Sequence, residues 1–317
     1  MARRGLRELR AGVGSAVIVA GVVAAGVATP ALGRAIAFTG AYGWTTLVIV
    51  PLLMGFCSML LLGLKEDATL GQGAIATIWS LVLFSAGALI FRLEGAICLI
   101  MASPMVLLVA LFGTMVGKSI FDIVRDKRGR MQVSLLAMAM PLAVTFVVKE
   151  PSSYEERTVT TTTWIAAPPE KIWPYLENID RVSEPHWWLF RMGVAHPVAT
   201  RTKGNIRHCV LSTGDMPERL LIREPGRRLR WRVMSTPALV REVNPFGTVH
   251  APHDRDRFVA RIGEWKLTRE NGGTRLVGRT EYGHRFGAPL YWNLWTDVVV
   301  GNVHRQMIRE ITERATR

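Results

Sequence analysis

Arg207, Cys209, Tyr282, Asp297 and His304 are the side chains whose types and spacing could do chemistry together. Tyr282 and His304 are candidate general acids or bases, and Asp297 is a carboxylate partner for either. Asp297 and His304 stand seven residues apart in a segment with helical spacing, so they share a face two turns apart. That is about 10 Å along the axis. The gap is too long for a direct acid–base pair, but both could touch one ligand or separate strand partners. The plainer roles are an Asp297 paired with a sheet arginine and a His304 packed at the helix edge. Arg207 and Cys209 share a strand face opposite Ile206, His208 and Val210, and the pattern leaves open which face looks inward. A buried Arg207 needs a carboxylate, which Glu218, Glu242 or Asp297 could supply. Cys209 is a nucleophile only with an activating base and exposure; a small buried filler is the simpler reading. The catalytic candidates are therefore Tyr282, His304, Asp297 and Arg207.

The segment VNPFGTVHAPHDRD carries His250 and His253, and with His284 it invites a zinc reading. No cysteine or carboxylate completes a ligand pattern, so neither a metal nor another cofactor is expected. This loop reads better as a gate over a cavity mouth, with Phe246 as an apolar tip and His253 among the ligand contacts. The run PHWWLF, residues 185–190, is a second rim or else lies partly buried under the first helices.

The elements that must position these residues fall into two halves. The chain has 317 residues, 49% of them hydrophobic, and a net charge of +14. Up to residue 150 charges are sparse and clustered; beyond it they are everywhere. Five apolar runs are long enough to cross a bilayer: residues 11–32, 41–64, 74–91, 95–117 and 131–148. A signal peptide is the rival for the first, but the run is long and lacks a clear cleavage site. No run has a lone charge at its centre, which argues against a transporter. Arg3, Arg4, Arg7 and Arg10 precede the first run, and Lys118, Arg125, Lys127, Arg128 and Arg130 separate the last two. Five spans put both clusters inside, so the N-terminus is expected in the cytoplasm and the C-terminal domain outside. The basic balance suits an anionic lipid surface; no recognition motif supports nucleic acid.

Residues 151–317 read as a soluble α+β domain. Residues 158–166 alternate as a strand, and Pro168-Pro169-Glu170 opens a helix that Pro174 should kink or shorten. Strands follow at 204–212, 218–223, 228–233, 258–267 and 275–282, with Asn271-Gly272 as the strongest hairpin signal. Leu229, Trp231 and Val233 face one way and Arg228, Arg230 and Arg232 the other, as in an antiparallel sheet covered on one side. The cover is a final helix with Trp292, Trp295, Val299, Val303, Met307 and Ile311 as its apolar stripe.

The stretches IAAPPEKIWPYL, RHCVLSTGDMPERL, EPGRRLRWRV, GTRLVGRTEY and YWNLWTD, in this order, resemble the START-like or SRPBCC superfamily. The resemblance covers residues 154–317. It implies a helix-grip fold, a curved antiparallel sheet wrapped around a long C-terminal helix, enclosing an apolar cavity. Members bind lipids, sterols or polyketides; some are cyclases or dehydratases, and many only carry ligand. On that basis Arg207, Cys209, Trp231, Glu242, His253, Tyr282, Trp295 and Val299 are the expected ligand contacts. Three functions stay open: a membrane-anchored binding or transfer domain for a hydrophobic, lipid-like molecule, an enzyme of the cyclase or dehydratase kind, and a ligand sensor or assembly factor with an unidentified protein partner.

Overall fold

The computed structural model describes residues 42–63, 68–125, 151–247, 249 and 257–317. They group into two compact units, one of helices together with residues 244–247 and 249, the other built from the remainder after residue 150.

In the helical unit, α1 (Val50–Gly63) continues a π-helical stretch, Thr45–Ile49. The stretch ends two residues before Pro51, whose ring nitrogen cannot donate the usual bond four residues back. The second helix, α2 (Leu70–Ile90), starts four residues before the expected position 74 because Thr69 and Gln72 form a reciprocal capping box. The third, α3 (Ala96–Arg125), outlasts the apolar run that ends at Gly117, and Lys118 pairs with Asp122 one turn on. Stretches of 19, 21 and 27 residues in these three helices are long and apolar enough to cross a membrane. The first and last expected spans lie outside the described residues.

Small residues set how these helices meet. A side-chain carbon added at Gly113 would come 2.2 Å from the Leu52 carbonyl oxygen, and one at Gly55 would overlap the Ala110 carbonyl. Only glycine lets the backbones of α1 and α3 approach so closely. Buried hydroxyls bridge the rest: Thr77 to Thr114 at 2.8 Å and Ser58 to Ser80 at 3.1 Å.

The second unit is one seven-stranded antiparallel sheet with helices on its inner face. Its strands are β1 (Glu155–Ile165), β2 (Pro197–Lys203), β3 (Ile206–Leu211), β4 (Gly214–Glu224), β5 (Arg228–Val233), β6 (Phe258–Glu270) and β7 (Gly273–His284). Their spatial order is β1-β7-β6-β5-β4-β3-β2. Six strands were expected, and β2 is the addition. The residues Gly204-Asn205, read as the start of a strand, form the β2–β3 turn, with Gly204 at φ +61°. Asn271 and Gly272 both have positive φ (50° and 74°), the geometry of the two-residue turn their types announce. Short helices α4 (Pro169–Glu177) and α5 (Trp188–Met192) follow β1, and α6 (Pro289–Ala315) ends the unit. Ile172, Leu176, Leu229, Leu276, Ile308 and Ile311 lie in the core between helices and sheet. This is a helix-grip fold.

Candidate ligand cavity

Strand register decides what faces α6. Trp231 of β5 sits opposite Gly263 of β6, and Trp265 of β6 opposite Gly278 of β7. Each indole lies on its glycine: a side-chain carbon at Gly263 would come 2.3 Å from the Trp231 ring, and one at Gly278 2.2 Å from Trp265. With Met216, Val303 and Met307 these rings line a partly open pocket of about 70 Å³. Sites for drug-sized ligands run to several hundred Å³, so an occupant of that size must displace side chains here.

One polar wall of the cavity is an ion pair. Arg207 and Glu218 are register partners on β3 and β4, 2% and 1% exposed. The Arg207 Nη1 donates to Glu218 Oε2, and its Nε donates to the Leu176 carbonyl at 3.2 Å. Its guanidinium also lies 4.7 Å from the Trp231 ring centre. Burial works against the charge on Arg207, but the Glu218 carboxylate outweighs it and keeps the guanidinium protonated. Burial pushes the Cys209 thiol beside it up to about 12. A thiol held protonated is no nucleophile, so Cys209 is the buried filler.

The other polar wall is His304 with Thr280. The imidazole is 4% exposed, with Nε2 2.8 Å from the Thr280 hydroxyl and Nδ1 3.1 Å from the Thr161 hydroxyl. Burial, with Arg305 adding to it, pushes its pKa down to about 4, so the ring is neutral at pH 7.

Tyr282 and Asp297 belong to a different network, away from the cavity lining. Tyr282 is fully buried and donates to Asp297 Oδ1 at 2.6 Å, while Arg157 of β1 donates to both Asp297 oxygens. Burial and the Asp297 carboxylate push the phenol up to about 12. Burial would raise the Asp297 carboxyl, but the hydrogen bonds from Arg157 and Tyr282 outweigh it and hold it low. Asp297 therefore has the sheet arginine of the plainer reading. Beyond it, His284 Nε2 meets Asn293 Oδ1 at 2.6 Å, and the Asn293 amide donates to Glu155. His284 is thus a hydrogen-bonded core residue, and burial lowers its pKa.

Of the expected ligand contacts, Arg207, Cys209 and Trp231 line the cavity, joined by His304 from the catalytic candidates. Glu242, Tyr282, Trp295 and Val299 do not line it. The carboxylate for Arg207 is Glu218, not Glu242 or Asp297. At the start of α6 the expected stripe residues Trp295 and Val299 are only half-buried, and Thr296, Val300 and Gly301 are buried there, whereas Met307 and Ile311 of the stripe are buried as expected. Trp188 is 48% exposed, while Trp187 packs edge-on against Phe190 at 4.8 Å. Phe246, expected at a gate, lies in the segment that groups with the helices, where the Asn244 amide donates to the Leu89 and Glu94 carbonyls. His250 and His253 lie outside the described residues; among those described, no three His, Cys, Asp or Glu side chains gather as metal ligands. The sequence reading missed Trp265 and its glycine as cavity walls, and Thr161 as a partner of His304. The first was within reach: the two-residue turn at 271–272 puts position 265 opposite position 278.

No family model matches the chain, and no curated protein matches it. Solved structures do. A Mesorhizobium loti protein, MLL2253, is 21% identical over 50% of this chain and 97% of its own, with a TM-score of 0.30. The ZhuI aromatase/cyclase from Streptomyces sp. R1128 is 15% identical over 51% and 95%, with a TM-score of 0.35. A truncated norcoclaurine synthase from Thalictrum flavum is 8% identical over 51% and 95%, with a TM-score of 0.31. Likeness at this level transfers no ligand and no residue role.

Proposed function

We propose that this protein is a membrane-anchored binding or transfer domain for a hydrophobic, lipid-like small molecule, held between the sheet and α6. The observation that carries the reading is the cavity itself. Its walls are mainly apolar, Trp231, Trp265, Val303 and Met307 among them, with polar groups at Arg207, Glu218, Glu264, Arg279, Thr280 and His304. That composition suits an apolar body with one polar end. Methionine and tryptophan walls can swing aside to admit it, and methionine repacks at little cost. The three apolar helices support anchorage in a membrane. We place the N-terminus in the cytoplasm and the C-terminal unit outside, as the basic clusters suggest. Catalysis by cyclisation or dehydration finds less support, because Arg207, Tyr282, Asp297 and His304 are each already engaged by protein partners.

The test is native mass spectrometry of the full chain released from detergent. The wild type should retain an adduct of lipid-like mass that Val303→Trp, which fills the cavity, loses while melting as the wild type does. Lipid bound loosely around the helices would survive in both. Identical spectra for the two proteins would remove the cavity as the binding site.

A further inference from the structure

The first two turns of α6 carry an apolar ridge that the unit does not cover. Leu290 is 88% exposed and Leu294, one turn on, is 64% exposed, with Tyr291, Trp295 and Val298 half-buried beside them. Further along the helix the outward positions change character to Arg305 and Arg309. The ridge lies at the end of the unit where the chain arrives. Asn293, between the two leucines, donates to Glu155 at 2.6 Å, and Glu155 is the first residue of β1. Tyr154, just before it, lies under two guanidinium groups, Arg285 at 5.3 Å and Arg261 at 5.4 Å from its ring centre.

Connectivity says what faces this end. The sequence of residues 131–148 is apolar enough to span a bilayer, and only six residues, seven steps along the chain, separate its end from Glu155. Seven steps reach at most about 25 Å. Exposed leucines flanked by tryptophan, tyrosine and arginine are the composition of a protein surface at a membrane–water boundary. We infer that the ridge of Leu290 and Leu294 inserts into the interfacial layer of the bilayer that anchors the chain. This rests on the anchorage reading above and not on ligand binding. The ridge sets the depth and tilt of the unit, so its cavity stays at the lipid surface.

Photo-crosslinking of the full chain in phosphatidylcholine–phosphatidylglycerol vesicles tests this. Leu294→p-benzoylphenylalanine is compared with the same substitution at Leu221, 46% exposed on β4, and at Leu108, 70% exposed on α3. Labelled phospholipid should be captured at position 294 roughly tenfold or more above position 221, the partition ratio that burying a leucine side chain produces. Capture at 108 but not at 294 overturns the docking surface and leaves the anchorage standing. Capture at neither position overturns both. Crosslinks at 294 to a second copy of the chain in place of lipid would make the ridge a dimer contact and also overturn the proposal.

Discussion

Arg207→Met takes the cation from a buried ion pair and leaves Glu218 behind. Breaking such a pair from one side costs about 3–5 kcal/mol, because the remaining charge has lost both its partner and its water. Methionine keeps much of the volume, so little cavity is added. At about 2–4 °C per kcal/mol for a unit of this size, the melting temperature should fall by roughly 6–20 °C. The pH dependence supplies a signature. Burial already raises the Glu218 carboxyl against the opposing pull of Arg207, and without the guanidinium it rises further. A carboxyl whose folded pKa lies above its unfolded value folds best protonated. The variant should therefore be most stable below the unfolded pKa of about 4.3 and lose stability as pH rises towards the folded one. Arg207→Met combined with Glu218→Leu should recover most of the loss and flatten the slope, since a well-packed apolar pair can replace a buried ionic one. Tryptophan-fluorescence melts of the full chain in detergent, from pH 4 to 8, read all three proteins. A single-variant shift under about 2 °C, or a double variant no better than the single, would refute the argument.

His304→Gln should remove part of the acid sensitivity of the wild type. The folded pKa of about 4 lies below the unfolded value, so protonation opposes folding, and the cost grows as pH falls through the window from 6.5 to 4. The full cost is about 3 kcal/mol, and melts at pH 7 and 4.5 with unchanged slopes would contradict it. In the helical unit, Gly113→Leu should force α1 and α3 apart and cost about 1–3 kcal/mol or more, read as a lower melt and a broadened gel-filtration peak. Gly87→Leu is the control, because nothing lies within 4 Å of the added carbon there, and it should behave as the wild type.

The parts of the fold that were legible were those set by local chemistry. Asn271-Gly272 announced its hairpin, the alternation of Leu229-Arg230-Trp231-Arg232 announced which side of β5 was wet, and Pro168-Pro169-Glu170 announced a helix start. Strand β2 escaped because PVATRTK has only one large apolar residue, and its partner β3 supplies the reason it is a strand. The site was half legible. Arg207 and Cys209 were named, but an alternating run with an arginine and a histidine on opposite faces cannot reveal which is buried; Glu218 on the neighbouring strand decides it. Tyr282 was expected among the ligand contacts. That its hydroxyl goes to Asp297 and not into the cavity depends on Arg157, over a hundred residues earlier in the chain. The α6 stripe held at Met307 and Ile311 but not at its start, where Thr296 is buried against the Tyr282 hydroxyl at 2.9 Å, a partner from β7 that helical spacing cannot reveal.

The register of β1 on β7 also bears on how the chain must be made. All eleven residues of β1 pair with the last strand, Glu155 with His284 through to Ile165 with Thr274. These contacts have large sequence separation, so the sheet cannot close until nearly the whole unit has been synthesised. At about 5–20 residues per second, the wait between making Glu155 and making His284 is roughly 6–26 s. During that time β1 is an unpaired edge, the kind of segment that seeks the wrong partner. Its sequence EERTVTTTTWI suits the delay: five threonines, two glutamates and an arginine keep it strand-forming yet poorly adhesive. In the finished sheet β1 is an outermost strand as well, so the same composition that protects the nascent chain goes on protecting the folded one.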